Sequence, residues 1–128
     1  MSDFIIQKKI YYHDTDCGGV VYYGRYLEHL EEGKDDFFRE KGIDLAAYAK
    51  KGFAFAVVHL DIDYKSPARY GDTVKISTRV EKIGNTSIHF YQEISKESVL
   101  VKAKTIWACI GPDFKVQAVP QKIKETLA

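Results

Sequence analysis

Apolar residues recur along this chain with two different periods, and the places where the period changes mark its elements. Phe4 to Tyr12 carries the β-favouring residues Ile5, Ile6, Ile10, Tyr11 and Tyr12 and reads as a first strand. From about Arg25 to Lys41 the spacing becomes helical. Tyr26, Leu30, Gly33 and Phe37 recur one turn apart, and Leu27 and Phe38 widen the stripe. Glu28, Glu32, Asp35, Asp36 and Arg39 take the opposite side. Gly42 stands where a left-handed C-terminal cap belongs, with Ile43 after it as the hydrophobic contact. Asp44 can then N-cap a short helix through Leu45-Ala46-Ala47-Tyr48-Ala49. Past Gly52 the period falls to two. Phe53, Phe55 and Val57 alternate, then Val58, Leu60, Ile62 and Tyr64 alternate in the other phase. That shift predicts a bulge, or a segment buried on both faces, between Val57 and Val58. Thr73 to Ile83, Ser87 to Ser95 and Val99 to Cys109 are three further alternating strands. Gly84-Asn85 has the form of a two-residue hairpin turn, Lys96-Glu97-Ser98 turns again, and Pro120 precedes a short, charged C-terminal helix.

Strands joined by short turns run antiparallel. Only the 25–41 helix has a large apolar face, so it has to cover the inner face of the sheet. The expected fold class is therefore α+β: a curved five-stranded antiparallel sheet wrapped around one long central helix, as a single domain over 1–128. Such a sheet has two open edges, which pairing with a second copy would close.

Composition narrows the function classes. A formal net charge of +1 gives no broad basic footprint for nucleic acid. No apolar run approaches a membrane span, and the N-terminal residues carry no signal-like apolar core, so the expected location is the cytoplasm. Cys17 and Cys109 lie far apart and form no Cys-x-x-Cys pair, which suggests neither a zinc site nor a redox motif.

The candidate chemistry gathers in Tyr11 to Tyr26, where two carboxylates, a Gly-Gly pair and several tyrosines precede the long helix. Asp16, just before Gly18-Gly19, reads either as a turn aspartate or as a functional carboxylate. Its neighbourhood favours function: Tyr22, Tyr23, Gly24 and Arg25 supply no N-capping side chain, so the helix start leaves backbone N–H groups free to polarise a carbonyl. A carboxylate facing such donors can carry acyl transfer. In an extended segment Asp14 would point to the same side as Asp16, but capping or an ion pair is the favoured role for it. Glu31 borders the helix's apolar stripe and could lean into a cleft beside the core. The loop Tyr64 to Asp72 joins Lys65 and Arg69, which suit phosphates, to the aromatic rings of Tyr64 and Tyr70.

These residues carry a family resemblance. Tyr12-His13-Asp14-Thr15-Asp16-Cys17-Gly18-Gly19-Val20-Val21-Tyr22-Tyr23-Gly24-Arg25-Tyr26-Leu27, the helix continuation Glu31 to Phe38 and the run Leu60 to Asp72 resemble the 4-hydroxybenzoyl-CoA thioesterase family, in particular its YbgC-type members. The resemblance implies the hotdog fold and an acyl-CoA thioesterase that releases a carboxylic acid and free coenzyme A. It implies a homodimer with a continuous sheet, paired further into a homotetramer, and active sites at the subunit interface. Asp16 matches the family's catalytic carboxylate, and the Tyr23 N–H its carbonyl-polarising donor. Tyr64, Lys65, Ser66 and Arg69 fall where coenzyme A is held; Glu31 and Gly24 are further candidate substrate contacts. No metal and no cofactor beyond the coenzyme A of the substrate is implied. Two rival functions fit the same fold: an acyl-thioester hydratase or dehydratase, and a non-catalytic acyl-CoA-binding module.

Overall fold

The structure is a computed structural model that describes residues 3–128. Its strands are β1 (Phe4–Lys9), β2 (Ala54–Tyr64), β3 (Thr73–Ile83), β4 (Ser87–Ser95) and β5 (Val99–Ile110); its helices are α1 (Arg25–Glu40), α2 (Leu45–Lys50) and α3 (Gln121–Leu127). The five strands form one antiparallel sheet in the order β1-β3-β4-β5-β2, and α1 packs across β3 and β1 on its inner face. The α+β sheet-and-helix architecture expected from the periodicity is the one observed.

Alternation explains the sheet. Val74, Ile76, Thr78 and Val80 of β3, Ile88, Phe90, Gln92 and Ile94 of β4, and Val101, Ala103, Thr105, Trp107 and Cys109 of β5 are all buried on the inner face. They form two apolar lobes. One gathers Tyr26 and Leu30 from the first half of α1 with Val74, Ile76, Ile94 and Val101. The other gathers Phe37 and Phe38 from its second half with Phe90, Trp107, Ile123 and Leu127. Burying each of the large side chains contributes on the order of 2–3 kcal/mol.

Between the lobes helix and sheet approach closely. A Cβ at Gly33 would lie 2.8 Å from Ile76 Cγ2, 3.0 Å from Gln92 Nε2 and 3.1 Å from Thr78 Oγ1. The close approach lets Gln92 Nε2 donate to the Leu30 carbonyl at 2.9 Å and to Thr78 Oγ1 at 2.9 Å. At its far end α1 closes as expected: Gly42 has φ +76°, its N–H donates to Arg39 O at 3.0 Å, and the Ile43 N–H donates to Phe38 O at 2.9 Å. Asp44 Oδ1 accepts the Ala47 N–H at 3.1 Å and caps α2.

The phase shift in β2 is a bulge: Val57 pairs with Trp107 and His59 with Ile106, leaving Val58 without a partner position. Other details differ from the sequence reading. β1 stops at Lys9, because the chain then turns through a short 3-10 turn (Tyr12–Asp14) that buries Asp14. The β3–β4 loop is Gly84-Asn85-Thr86, closed by Gly84 N–H to Ser87 O at 2.8 Å; neither Gly84 nor Asn85 has positive φ, so the two-residue primed turn is not formed. Leu27 is 38 % exposed, whereas the polar His29 and Lys34 sit inside the α1 stripe and are buried. The charged C-terminal helix is also a core element, through Ile123 and Leu127.

Replacing Gly33 by Val should destabilise the fold by about 1–3 kcal/mol, because the added branches must push α1 off β3 and β4. Urea denaturation followed by circular dichroism checks this; a midpoint equal to that of the parent chain would show that the close approach is not required.

Candidate active site

The loop between β1 and α1 is zipped to the loop between β2 and β3. Ile10 N–H donates to Asp72 O (2.8 Å), Gly71 N–H to Ile10 O (3.0 Å), Val21 N–H to Ala68 O (2.9 Å) and Tyr70 N–H to Gly19 O (3.2 Å). Tyr26, from the first turn of α1, accepts the Ala68 N–H on its hydroxyl at 2.9 Å. Two chain segments far apart in sequence thus form one platform at the N-terminal end of α1.

The two aspartates of the β1–α1 loop occupy different environments. Asp14 is 3 % exposed. Its Oδ2 accepts the Tyr11 N–H at 2.9 Å, its Oδ1 lies 3.2 Å from His29 Nε2, and its carbonyl accepts the Tyr22 N–H at 2.9 Å. Burial works against its charge, but the Tyr11 N–H and the His29 ring outweigh it and hold the carboxyl below the ordinary aspartate range. Asp16 is exposed; its Oδ1 accepts the Gly18 N–H at 2.8 Å, and its Oδ2 has no hydrogen-bond partner among the described residues. The turn, rather than an extended run, is what separates the two. Gly19 supports it with φ +76°, a conformation that favours glycine.

Helix α1 begins without a side-chain cap: Gly24 at its N-cap makes no side-chain hydrogen bond. Among the described residues the N–H groups of Tyr23 and Gly24 have no acceptor. They stand at the positive end of a 16-residue helix. Gly24 has an ordinary helical φ of −68°, so backbone freedom is not its reason. A Cβ there would lie 2.9 Å from Tyr22 Cε2, so the bare position makes room for the Tyr22 ring, which packs against Tyr23 at 4.7 Å between centroids.

Beside this helix start lies a pocket of about 250 Å³ lined by Val21, Tyr23, Tyr26, Tyr64, Lys65, Ser66 and Pro67. The Tyr64 hydroxyl donates to the Tyr23 carbonyl at 3.2 Å and ties the two walls together. Tyr23, Tyr64, Lys65 and Ser66 are therefore brought to one place. Arg69 is adjacent in the chain but does not line the pocket; its backbone bridges to Val20, and its N–H donates to Asp72 Oδ2 at 2.9 Å. Glu31 lies further along α1 and borders a separate cleft of about 410 Å³, walled by α2, Phe53, Phe55, Val57 and Trp107. There its Oε1 accepts from Lys34 Nζ at 3.0 Å. Burial pushes the Lys34 pKa down, and the Glu31 carboxylate opposes that. The sequence reading missed His29, Lys34 and the Tyr26 hydroxyl. A polar residue in register with a helix's apolar stripe was the available signal.

Comparison with known proteins bears on the fold and the class of chemistry. The thioesterase-like superfamily profile matches residues 11–127. The acyl-CoA thioester hydrolase YbgC of Escherichia coli O157:H7 is 31% identical over 118 residues, covering 90% of this chain and 88% of that protein. A probable thioesterase from Bartonella henselae superposes with a TM-score of 0.87 at 33% identity, over 93% of this chain and 100% of its own. A 1,4-dihydroxy-2-naphthoyl-CoA thioesterase from Synechocystis superposes with a TM-score of 0.91 at 26% identity, over 98% of this chain and 96% of its own. The resemblance read from the runs Tyr12 to Leu27, Glu31 to Phe38 and Leu60 to Asp72 is borne out, and so are the hotdog fold and the thioester-hydrolase class it implied. The chain belongs to the thioesterase-like superfamily.

Proposed function

We propose that the protein hydrolyses acyl-CoA thioesters at the N-terminal end of α1, with Asp16 as the reacting carboxylate and the Tyr23 N–H as the donor to the thioester carbonyl. The observation that carries this reading is the uncapped helix start together with, in the loop that leads into it, an exposed carboxylate with one oxygen unpartnered among the described residues. Negative charge develops on the carbonyl oxygen in the transition state. An N–H already fixed at a helix N-terminus stabilises it without reorganising. Asp16 either attacks the carbonyl carbon, giving an acyl-aspartyl anhydride that water opens, or takes a proton from the attacking water. Both routes yield a carboxylic acid and the free thiol. Neither calls on a metal or a cofactor other than the substrate's coenzyme A.

The pocket beside Tyr23 suits part of the coenzyme A. Lys65 offers a cation to phosphate, and Tyr64 and Ser66 add an aromatic face and a hydroxyl. Arg69 and Gly24 contribute at the margin. The aromatic cleft bordered by Glu31 suits the acyl group, with Phe53, Phe55 and Trp107 as its wall. The naphthoyl substrate in the name of the Synechocystis relative is an acyl group of that kind.

The proposed assembly is a homodimer joined through β2, with pairing of dimers into a homotetramer. β2 is an edge strand of 11 residues, and Val57, Val58, Leu60 and Tyr64 on it are exposed. The proposed location is the cytoplasm. Two observations support it: no helix among the described residues is long and apolar enough to cross a membrane, and both cysteines are free thiols.

Asp16→Asn should fold normally and lose turnover by on the order of 10³-fold in a thiol-release assay over short, long and aromatic acyl-CoAs. Wild-type turnover by this variant would remove Asp16 as the catalyst. For the assembly, the double variant Val57→Lys, Val58→Lys should run in light scattering as a single 14.6 kDa chain, while the parent chain runs at a multiple of it. A parent chain that is monomeric would refute the edge pairing.

A further inference from the structure

Resting on that reading, we infer that His29 is a positioning residue: through Asp14 it sets the Tyr23 N–H and the Asp16 carboxylate at their working separation. Asp14 is the point where the two halves of the site meet. Its carboxylate holds the Tyr11 N–H at the entry to the loop, and its carbonyl holds the Tyr22 N–H, one residue before the proposed donor Tyr23. Asp16 is two residues further on, and its own N–H is tied to Val20 O at 2.9 Å. Among the described residues the carboxylate of Asp14 reaches one side chain within hydrogen-bond distance, His29 Nε2 at 3.2 Å; His13 Nε2, on the exposed side, is 3.7 Å away. His29 stands on α1, the helix whose start carries the Tyr23 N–H. One contact therefore links the carboxylate side of the site to the donor side.

The chemistry of the pair fixes its direction. An ionised carboxylate only accepts, so His29 Nε2 donates to it. That leaves His29 Nδ1 buried with no partner among the described residues, although the ring is 2 % exposed. A buried polar atom without a partner is costly, and an apolar side chain at this position of the α1 stripe would avoid it. The arrangement makes sense where the Nε2 contact is required for the loop rather than for core packing. Removing it leaves Asp14 buried against backbone alone and frees the turn to shift. Small displacements of reacting groups lower the rate of the chemical step more than they weaken the binding of a large substrate.

Two amides separate positioning from packing. Gln at position 29 can place its amide nitrogen near that of Nε2, whereas Asn is too short to reach Asp14. His29→Asn should lower kcat by about tenfold to 10²-fold with KM for the acyl-CoA within about twofold, and His29→Gln should restore kcat to within a few-fold of the parent. In a double-mutant cycle, Asp14→Asn combined with His29→Asn should be little slower than either alone. Equal kcat in His29→Asn and His29→Gln, full activity in His29→Asn, or additive losses in the cycle would each overturn the inference. Asp16→Asn serves as the control. If it keeps full turnover, the catalytic reading and this inference fall together. If it is inert while His29→Asn keeps its kcat, only this inference falls.

Discussion

The closeness of α1 to the sheet at Gly33 is the constraint from which the rest of the structure follows. With no side chain there, Gln92 can span from Thr78 to the Leu30 carbonyl, and the helix axis is held against β3 and β4 at its midpoint. The two apolar lobes on either side then act like two ends of a clamp. One end locks Phe38 against Trp107 and Phe90, the three rings lying 5.0–5.9 Å apart. The other end decides where the helix begins. Because Tyr26 is buried in that end and its hydroxyl takes the Ala68 N–H, the helix start is pinned beside the 64–72 loop.

That pinned start gives the family chemistry a physical basis in this chain. Hydrolysis of a thioester needs a negative group near the carbonyl carbon and donors near its oxygen, arranged before substrate arrives. In the proposed mechanism the fold meets the two needs with different elements. The helix start supplies the donors, because the N–H groups of Tyr23 and Gly24, just ahead of its first residue, have no acceptor among the described residues. The loop supplies the carboxylate, because a turn puts Asp16 outside while Asp14 goes inside. Similar residues two positions apart thus have separate duties. Asp14 spends its hydrogen-bonding capacity on backbone and His29, and Asp16 keeps one oxygen free.

Much of this was legible in the sequence, for identifiable reasons. Strands β3 and β4 alternate cleanly because one face is core and the other is not, and the α1 terminus announces itself through Gly42-Ile43. The uncapped helix start could be read directly from Tyr22 to Arg25. What escaped were features that depend on partners distant in sequence. Ile10 and Tyr11 have strand preferences, yet the chain leaves the sheet there so that Asp14 can reach His29. His29 and Lys34 are polar residues inside an apolar stripe, and a count of apolar positions passes over them. Arg69 and Glu31 share chemistry with the pocket residues, but the bridge to Val20 keeps Arg69 off the pocket lining, and the length of α1 puts Glu31 at the second cleft.

The most direct test of the account is a crystal structure with an acyl-CoA analogue in which a methylene replaces the thioester sulfur, so that the carbonyl is kept and cannot be cleaved. The carbonyl oxygen should lie about 2.7–3.1 Å from the Tyr23 nitrogen, with the free Asp16 oxygen facing the carbonyl carbon directly or through one water. A carbonyl bound away from the α1 N-terminus, with Asp16 turned to solvent, would contradict it.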